Sequence, residues 1–152
     1  MREEPSDVTI FANAQNHNGE AAADLSEFAR SFGIPVVTTL MGIGALDTTD
    51  PLAMRMLGMH GAAFANYAVE DCDFLFAVGA RFDDRVAGVP QRFAPNAKHI
   101  AHIDIDLAEI DKVKRVDWSH VGELQGALRA LTAYGRRSGF SPDLSAWHTH
   151  LD

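Results

Sequence analysis

The chain has 152 residues, 47% of them hydrophobic, and a formal net charge of −8. This length suits one domain with its own core, and the apolar fraction excludes a disordered chain. The negative balance argues against a nucleic-acid or anionic-membrane surface, which need basic patches, and no apolar run reaches the roughly 18 residues of a membrane span.

The amino terminus, Met1 to Asp7, lacks the apolar core of a signal peptide. Val8-Thr9-Ile10-Phe11-Ala12 reads as a short strand, followed by a polar loop from Asn13 to Gly19. A helix is expected from Glu20 to Phe32, because Leu25, Phe28, Ala29 and Phe32 recur at three- and four-residue steps. Gly33 stands where a left-handed C-cap belongs. Ile34 to Leu40 is the second strand, rich in β-branched residues. A strand–helix–strand unit with a helix of this length implies a parallel crossover.

Met41-Gly42-Ile43-Gly44 contains G-x-G, but Asp47 occupies the place of the third glycine, so the standard dinucleotide fingerprint is rejected. Asp50-Pro51 resembles an N-cap with proline at N1 and predicts a short helix, Leu52 to Leu57. Gly58-Met59-His60-Gly61 then interrupts it. Ala62 to Glu70 reads as a helix packed on a sheet. The one cysteine, Cys72, excludes an internal disulfide and fits a reducing compartment. Negative charge in Glu70-Asp71-Cys72-Asp73 disfavours its thiolate. Cysteine usage and the missing leader together lead to an expected cytoplasmic location.

Phe74 to Val78 is a fully apolar run, the signature of a buried strand. Gly79-Ala80-Arg81-Phe82-Asp83-Asp84-Arg85-Val86 follows it. In an open α/β sheet, ligands sit just beyond the carboxyl ends of strands. Here a glycine is followed by two arginines, whose planar forks suit phosphate or carboxylate oxygens, and by two carboxylates. The same residues also suit a surface loop whose charges pair with one another.

His99 to Asp106 is another strand, with His99 and His102 on opposite faces and therefore not joint metal ligands. Asp104 at its carboxyl end is well placed for a ribose hydroxyl, while Asp106 suits a helix cap. A weak strand from Val116 to Val121 precedes a last helix opened by Gly122-Glu123. Leu124, Ala127, Leu128 and Leu131 form its apolar face, Gly135 terminates it, and Arg136-Arg137 complement its dipole. Ser138 to Asp152 reads as a tail or linker. The pair His148 and His150 has no evident third metal ligand. The residues thus describe a single α/β domain with about five or six parallel strands and a nucleotide-like ligand across their carboxyl ends.

Five segments also carry a resemblance: Thr38 to Gly42, Leu57 to Gly61, Asn66 to Val69, Gly79 to Val86 and His102 to Asp106. In this order they resemble the central domain of the acetolactate synthase large (catalytic) subunit, a thiamine-diphosphate-dependent enzyme family. The resemblance implies a three-layer, Rossmann-like domain of the NAD/FAD-binding type over residues 1–134, with 135–152 leading towards a carboxyl-terminal domain. It implies an enzyme that condenses two pyruvates, or pyruvate and 2-oxobutanoate, to an acetohydroxy acid in branched-chain amino-acid synthesis. The cofactors implied are FAD in this domain, and thiamine diphosphate and magnesium in the full-length enzyme. FAD contacts would fall on Thr39, Leu40, Met41, Leu57, Gly58, Met59, His60, Gly79, Arg81, Asp83, Arg85, Val86, Asp104, Ile105 and Glu123, where the family usually has Asp at the last. Arg85 resembles the arginine near the carboxylate of the second oxo acid. Asn13-Ala14-Gln15 stands where the family commonly has three glycines, so side chains occupy a place of close backbone approach. The family's catalytic glutamate and its Gly-Asp-Gly metal motif belong to other domains. The expectation is therefore an excerpt, inactive alone, whose partners are those domains, a second copy in a homo-oligomer and a regulatory small subunit. A free-standing nucleotide-binding module, or one that serves only subunit packing, is the alternative.

Overall fold

The computed structural model describes residues 6–13, 19–58, 60–80, 82, 92–112 and 114–152. Among them, six strands form one parallel sheet: β1 (Val8–Ala12), β2 (Val36–Thr38), β3 (Ala53–Met56), β4 (Phe74–Val78), β5 (His99–Asp104) and β6 (Trp118–Val121). Their order is β3-β2-β1-β4-β5-β6. Four α-helices accompany them: α1 (Gly19–Phe32), α2 (Ala63–Glu70), α3 (Leu124–Arg137) and α4 (Ser145–Leu151). The sheet is thus the parallel α/β sheet that the apolar runs imply.

The two faces of the sheet are separated by the period-two alternation of β1 and its neighbours. Ile10 and Phe76 are in register, and Phe76 meets Phe28 of α1 with ring centroids 5.5 Å apart. Thr9 and Phe11 lie on the other face. There the Thr9 hydroxyl donates to the Ala68 carbonyl of α2 at 2.8 Å, and Phe11 packs against Phe82 and Phe93. All of β1 is buried, as expected for a central strand covered on both sides. α1 and α3 pack on one another and carry the ion pairs Asp24–Arg129 at 3.0 Å and Glu27–Arg136 at 3.1 Å. With exposed arginines, such pairs contribute about 0–1 kcal/mol each.

Several elements differ from the sequence expectation. The segment read as a helix over Leu52 to Leu57 is strand β3. The Asp50 carboxylate does accept from the Leu52 N–H at 2.9 Å, but it closes a turn instead of opening a helix. The Val36 N–H takes the Leu52 carbonyl at 2.8 Å and the Leu57 N–H takes the Thr38 carbonyl at 3.0 Å, so sheet pairing overrides the helix propensity of Ala-Met-Arg-Met. The strand is irregular at its register shift, and Arg55 has a φ of 67°.

Gly135 does not end its helix, which continues to Arg137. A Cβ there would lie 2.4 Å from the Phe32 ring, so the glycine makes room for the α1–α3 contact. Gly139, with a φ of 73°, follows the true end. Gly33 does have the left-handed backbone of a C-cap, with a φ of 67°, and the Ile34 N–H reaches back to the Ala29 carbonyl at 3.0 Å.

Residues 138–152 are more than a tail: they contain α4, which docks on the domain. Leu144, Trp147 and Leu151 are buried, and the Trp147 indole N–H donates to the Val8 carbonyl at 3.1 Å. Pro142, Leu144 and Trp147 read from sequence as anchors onto a neighbour; Leu144 and Trp147, with Leu151 at helical spacing, anchor onto this domain.

Candidate functional site

The chain reverses its course at β1: it runs outward through β2 to β3, then returns as β4 on the far side and continues to β5 and β6. In open α/β sheets the crevice beyond the carboxyl ends at such a reversal is where ligands bind. Thr39, Leu40, Met41, Leu57, Gly58, His60, Gly79, Asp104, Ile105 and Glu123 all follow or end strands β2 to β6, along this one edge. Met59, Arg81, Asp83, Arg85 and Val86 lie outside the described residues.

The loops of this edge are held by short polar contacts. After β2, the Thr39 N–H donates to the Ala12 carbonyl at 3.0 Å, and the Thr39 hydroxyl donates to the Asn13 side-chain oxygen. Thr39 Oγ1 also accepts from the Gly42 N–H at 3.1 Å, which caps a single 3-10 turn over Leu40–Gly42. Asn13 therefore ties the end of β1 to the turn after β2. After β3, the Gly58 N–H donates to Asn66 Oδ1 at 2.7 Å, and Asn66 Nδ2 donates to the Gly58 carbonyl at 3.1 Å. The amide of Asn66 thus replaces a strand neighbour for Gly58. Sequence reasoning missed this role, and its one signal is an asparagine inside a helix, where the residue is disfavoured. After β4, Gly79 has a φ of 61° and donates to the Ile103 carbonyl at 2.8 Å, a backbone turn that an L side chain would strain.

The rim of the crevice is apolar and open. Leu40 is 68% exposed, Ile43 45%, Ile105 60% and Leu107 71%. Leu40 and Ile43 follow β2 and Ile105 and Leu107 follow β5, so exposed aliphatic side chains stand on both sides of the reversal, where they offer surface for flat aromatic rings. Leu57, Asn66, Val69, Glu70, Arg92, Phe93 and Ala94 line a cavity of about 190 Å³. Asp104 is fully buried, unlike a residue already presented to a ribose. Its Oδ1 accepts from the Asp106 N–H at 2.9 Å. Asp106 caps as expected, accepting from the Ala108 N–H at 2.9 Å, although the segment it caps is only a 3-10 turn, Leu107–Glu109. Glu123 sits at the N-cap position of α3 without a side-chain capping bond.

His102 lies fully buried beneath the edge. Burial pushes its imidazole below the ordinary histidine range, outweighing the nearby Asp104 carboxylate and the Ala80 carbonyl, which favour the charged form. The unfolded chain takes up this proton near pH 6.5, and the folded chain only at lower pH. The associated stability is therefore complete above about pH 6.5 and declines as pH falls through that value towards the lowered folded pKa. The expected slope for one such proton is at most about 1.4 kcal/mol per pH unit. Urea midpoints between pH 7.5 and 5.5 should fall more steeply for the unmodified chain than for His102→Phe.

The other singled-out residues have structural partners. His148 Nε2 lies 2.7 Å from the Gly33 carbonyl, and His150 Nε2 lies 2.9 Å from Asp71 Oδ2. Among the described residues no group of three metal-binding side chains forms. Cys72 is buried and its pKa is pushed up to about 12, first by burial and second by Asp73. The neighbouring charge expected to disfavour its thiolate is thus the smaller cause.

Residues 4–131 match the model of the thiamine pyrophosphate enzyme central domain. The chain belongs to this family. Within it, the chain is 51% identical over 131 residues to acetolactate synthase 1, chloroplastic, of Oryza sativa subsp. japonica, covering 85% of this chain and 20% of that protein. It is 46% identical over 134 residues to acetolactate synthase 1, chloroplastic, of Nicotiana tabacum, covering 87% and 20%. The acetolactate synthase large subunit of Parasynechococcus marenigrum is 46% identical over 123 residues, covering 81% and 20%. The chain thus spans about a fifth of the length of these relatives. The expected cytoplasmic location is overturned, because the plant relatives are chloroplastic. Its two premises do not discriminate: a plastid interior also lacks the oxidising setting of secreted proteins, and transit peptides are amphipathic instead of apolar.

Proposed function

We propose that this chain is the FAD-holding central domain of an acetolactate synthase large subunit. The observation that carries this reading is the open aliphatic rim of Leu40, Ile43, Ile105 and Leu107 beside the reversal point of the sheet. The strand order is that of Rossmann-like dinucleotide-binding domains, which supports the NAD/FAD-binding type. The family's triple glycine is absent, but the Asn13 side-chain oxygen accepts from the Thr39 hydroxyl across the β1–β2 junction. This contact supports a flavin nucleotide at the edge. Thr39, Leu40 and Met41, then Leu57 to His60, would hold it on one side of the reversal, and Gly79, Arg81, Asp83, Arg85, Val86, Ile105 and Glu123 on the other, with the buried Asp104 supporting the Ile105 segment from beneath. The family's FAD carries no net redox chemistry.

Arg85 would bind the carboxylate of the second oxo acid, a task for which a guanidinium's paired donors are suited. Thiamine diphosphate, with its magnesium ion, supplies carbanion stabilisation when bound, and other domains of the full-length protein hold it. The domain expected over residues 1–134 would also include the docked helix α4. Those domains, a second copy and a regulatory small subunit are the proposed partners.

The full-length protein carrying this segment should form acetolactate from pyruvate when thiamine diphosphate, magnesium and FAD are supplied, and the 152-residue chain should not. Arg85→Ala in the full-length protein should lower kcat/KM on the order of 100-fold, the loss of a charge-assisted pair. A full-length protein that released no acetolactate from pyruvate would refute the assignment.

A further inference from the structure

Two buried polar side chains of β5 face each other without a conventional hydrogen bond between them. His102 has no solvent exposure, and neither ring nitrogen makes a hydrogen bond of ordinary geometry among the described residues, although the Ala80 backbone also acts on the ring as an acceptor. Asp104 is equally buried, and its Oδ2 also lacks a partner there. That oxygen lies 3.6 Å from His102 Nε2. Two residues apart on one strand, the side chains share a face. The separation exceeds a hydrogen bond, but a small rotation of the carboxylate closes it. A buried donor and a buried acceptor left unpaired both lose their hydration uncompensated, so closure is favoured.

The chemistry of the couple selects one tautomer. A carboxylate only accepts, and a neutral imidazole has one N–H to give. The ring is the fixed partner. Phe82 meets it edge-on with centroids 5.3 Å apart, and Phe82 is itself packed against Phe11 and Phe93. The charged groups that act on the imidazole are the Asp104 carboxylate on its own strand and Glu109 from the 3-10 turn. Its register neighbours on β4 and β6 are Ala77 and Ser119, neither of them charged.

We propose that His102 is a positioning residue whose Nε2–H donates to Asp104 Oδ2 and keeps that carboxylate turned into the domain. The consequence reaches the crevice through a chain of acceptors. Asp104 Oδ1 holds the Asp106 N–H at 2.9 Å, and Asp106 Oδ1 holds the Ala108 N–H at 2.9 Å. Between these anchors stand Ile105 and Leu107 of the exposed rim. His102 therefore sets the shape of the rim without touching what binds on it. This effect on ligand binding rests on the flavin reading above; the state of the ring does not.

The test uses the 152-residue chain labelled with 15N-histidine. Without ligand at pH 7, long-range proton–nitrogen spectra should show a neutral His102 with its proton on Nε2. In Asp104→Asn, whose amide can donate, a measurable fraction should move to the Nδ1–H form. A proton on Nδ1 in the unmodified chain, or a tautomer ratio unmoved by Asp104→Asn, would overturn the proposal. In FAD titrations His102→Phe should bind on the order of tenfold more weakly, and His102→Gln, which keeps a donor, should stay within about threefold. Equal loss in both variants would show a role of shape alone and also overturn it. If FAD fails to bind the unmodified chain while His102 keeps its Nε2–H, the flavin reading fails and the positioning role stands.

Discussion

Trp147→Ala is expected to destabilise the domain by about 3–5 kcal/mol, the range for removing a large buried aromatic side chain. Trp147 is 2% exposed, and its indole donates to the carbonyl of Val8, the first residue of central strand β1. Truncation would leave both a cavity and an unpaired buried carbonyl. Domains of this size are stable by only about 5–15 kcal/mol, so the loss is a large share of the whole. Trp147→Phe should cost less, about 1–3 kcal/mol, because it keeps most of the packing and forfeits the donor. Urea denaturation followed by circular dichroism separates these values. A Trp147→Ala midpoint indistinguishable from the unmodified chain would mean that α4 is a tail after all.

The second large effect is expected at Gly61. A Cβ on this residue would lie 2.5 Å from the Met56 carbonyl oxygen and 2.5 Å from the Leu57 carbonyl carbon. Both are backbone atoms at the end of β3, and neither can rotate aside as a side chain would. Gly61→Ala should therefore cost about 3 kcal/mol, the upper part of the range for overpacking. It should also displace Leu57, Gly58 and His60 from the edge, because the Gly61 and Ala62 N–H groups donate to the Gly58 and Met56 carbonyls. Gly126→Ala serves as the control. Its Cβ would meet nothing within 4 Å, and helix propensity favours the alanine by roughly 0.5–1 kcal/mol. Equal destabilisation by the two substitutions would show that space is not what Gly61 supplies.

These two positions show where sequence reading succeeds and where it stops. Apolar runs and helical periodicity disclose β1, β4 and α1, because burial on both faces or on one stripe leaves a direct imprint on residue choice. In β5 every residue after His99 is buried, so His99 is exposed as the first residue of the strand and His102 lies within it, a difference the period-two pattern does not disclose. By contrast, β3 has the local preferences of a helix and becomes a strand only because the β2 edge offers it hydrogen bonds. Gly135 carries the composition signal of a terminator, whereas its cause is the ring of Phe32 in α1, a separation in the chain that no local window spans. The candidate edge was legible because parallel topology places every loop after a strand on the same side. The partners that organise it were not: Asn66 reaches Gly58, and His102 meets Asp104, through contacts that depend on the folded backbone.

Whether the carboxyl edge of this sheet holds a flavin nucleotide is decided by a calorimetric titration of the purified chain with FAD, with Arg81→Ala beside it. Binding should be saturable and one-to-one, and the substitution should weaken it on the order of tenfold or more, as expected when a charge-assisted contact is lost. Heat that does not saturate, or binding of equal strength in Arg81→Ala, would contradict it.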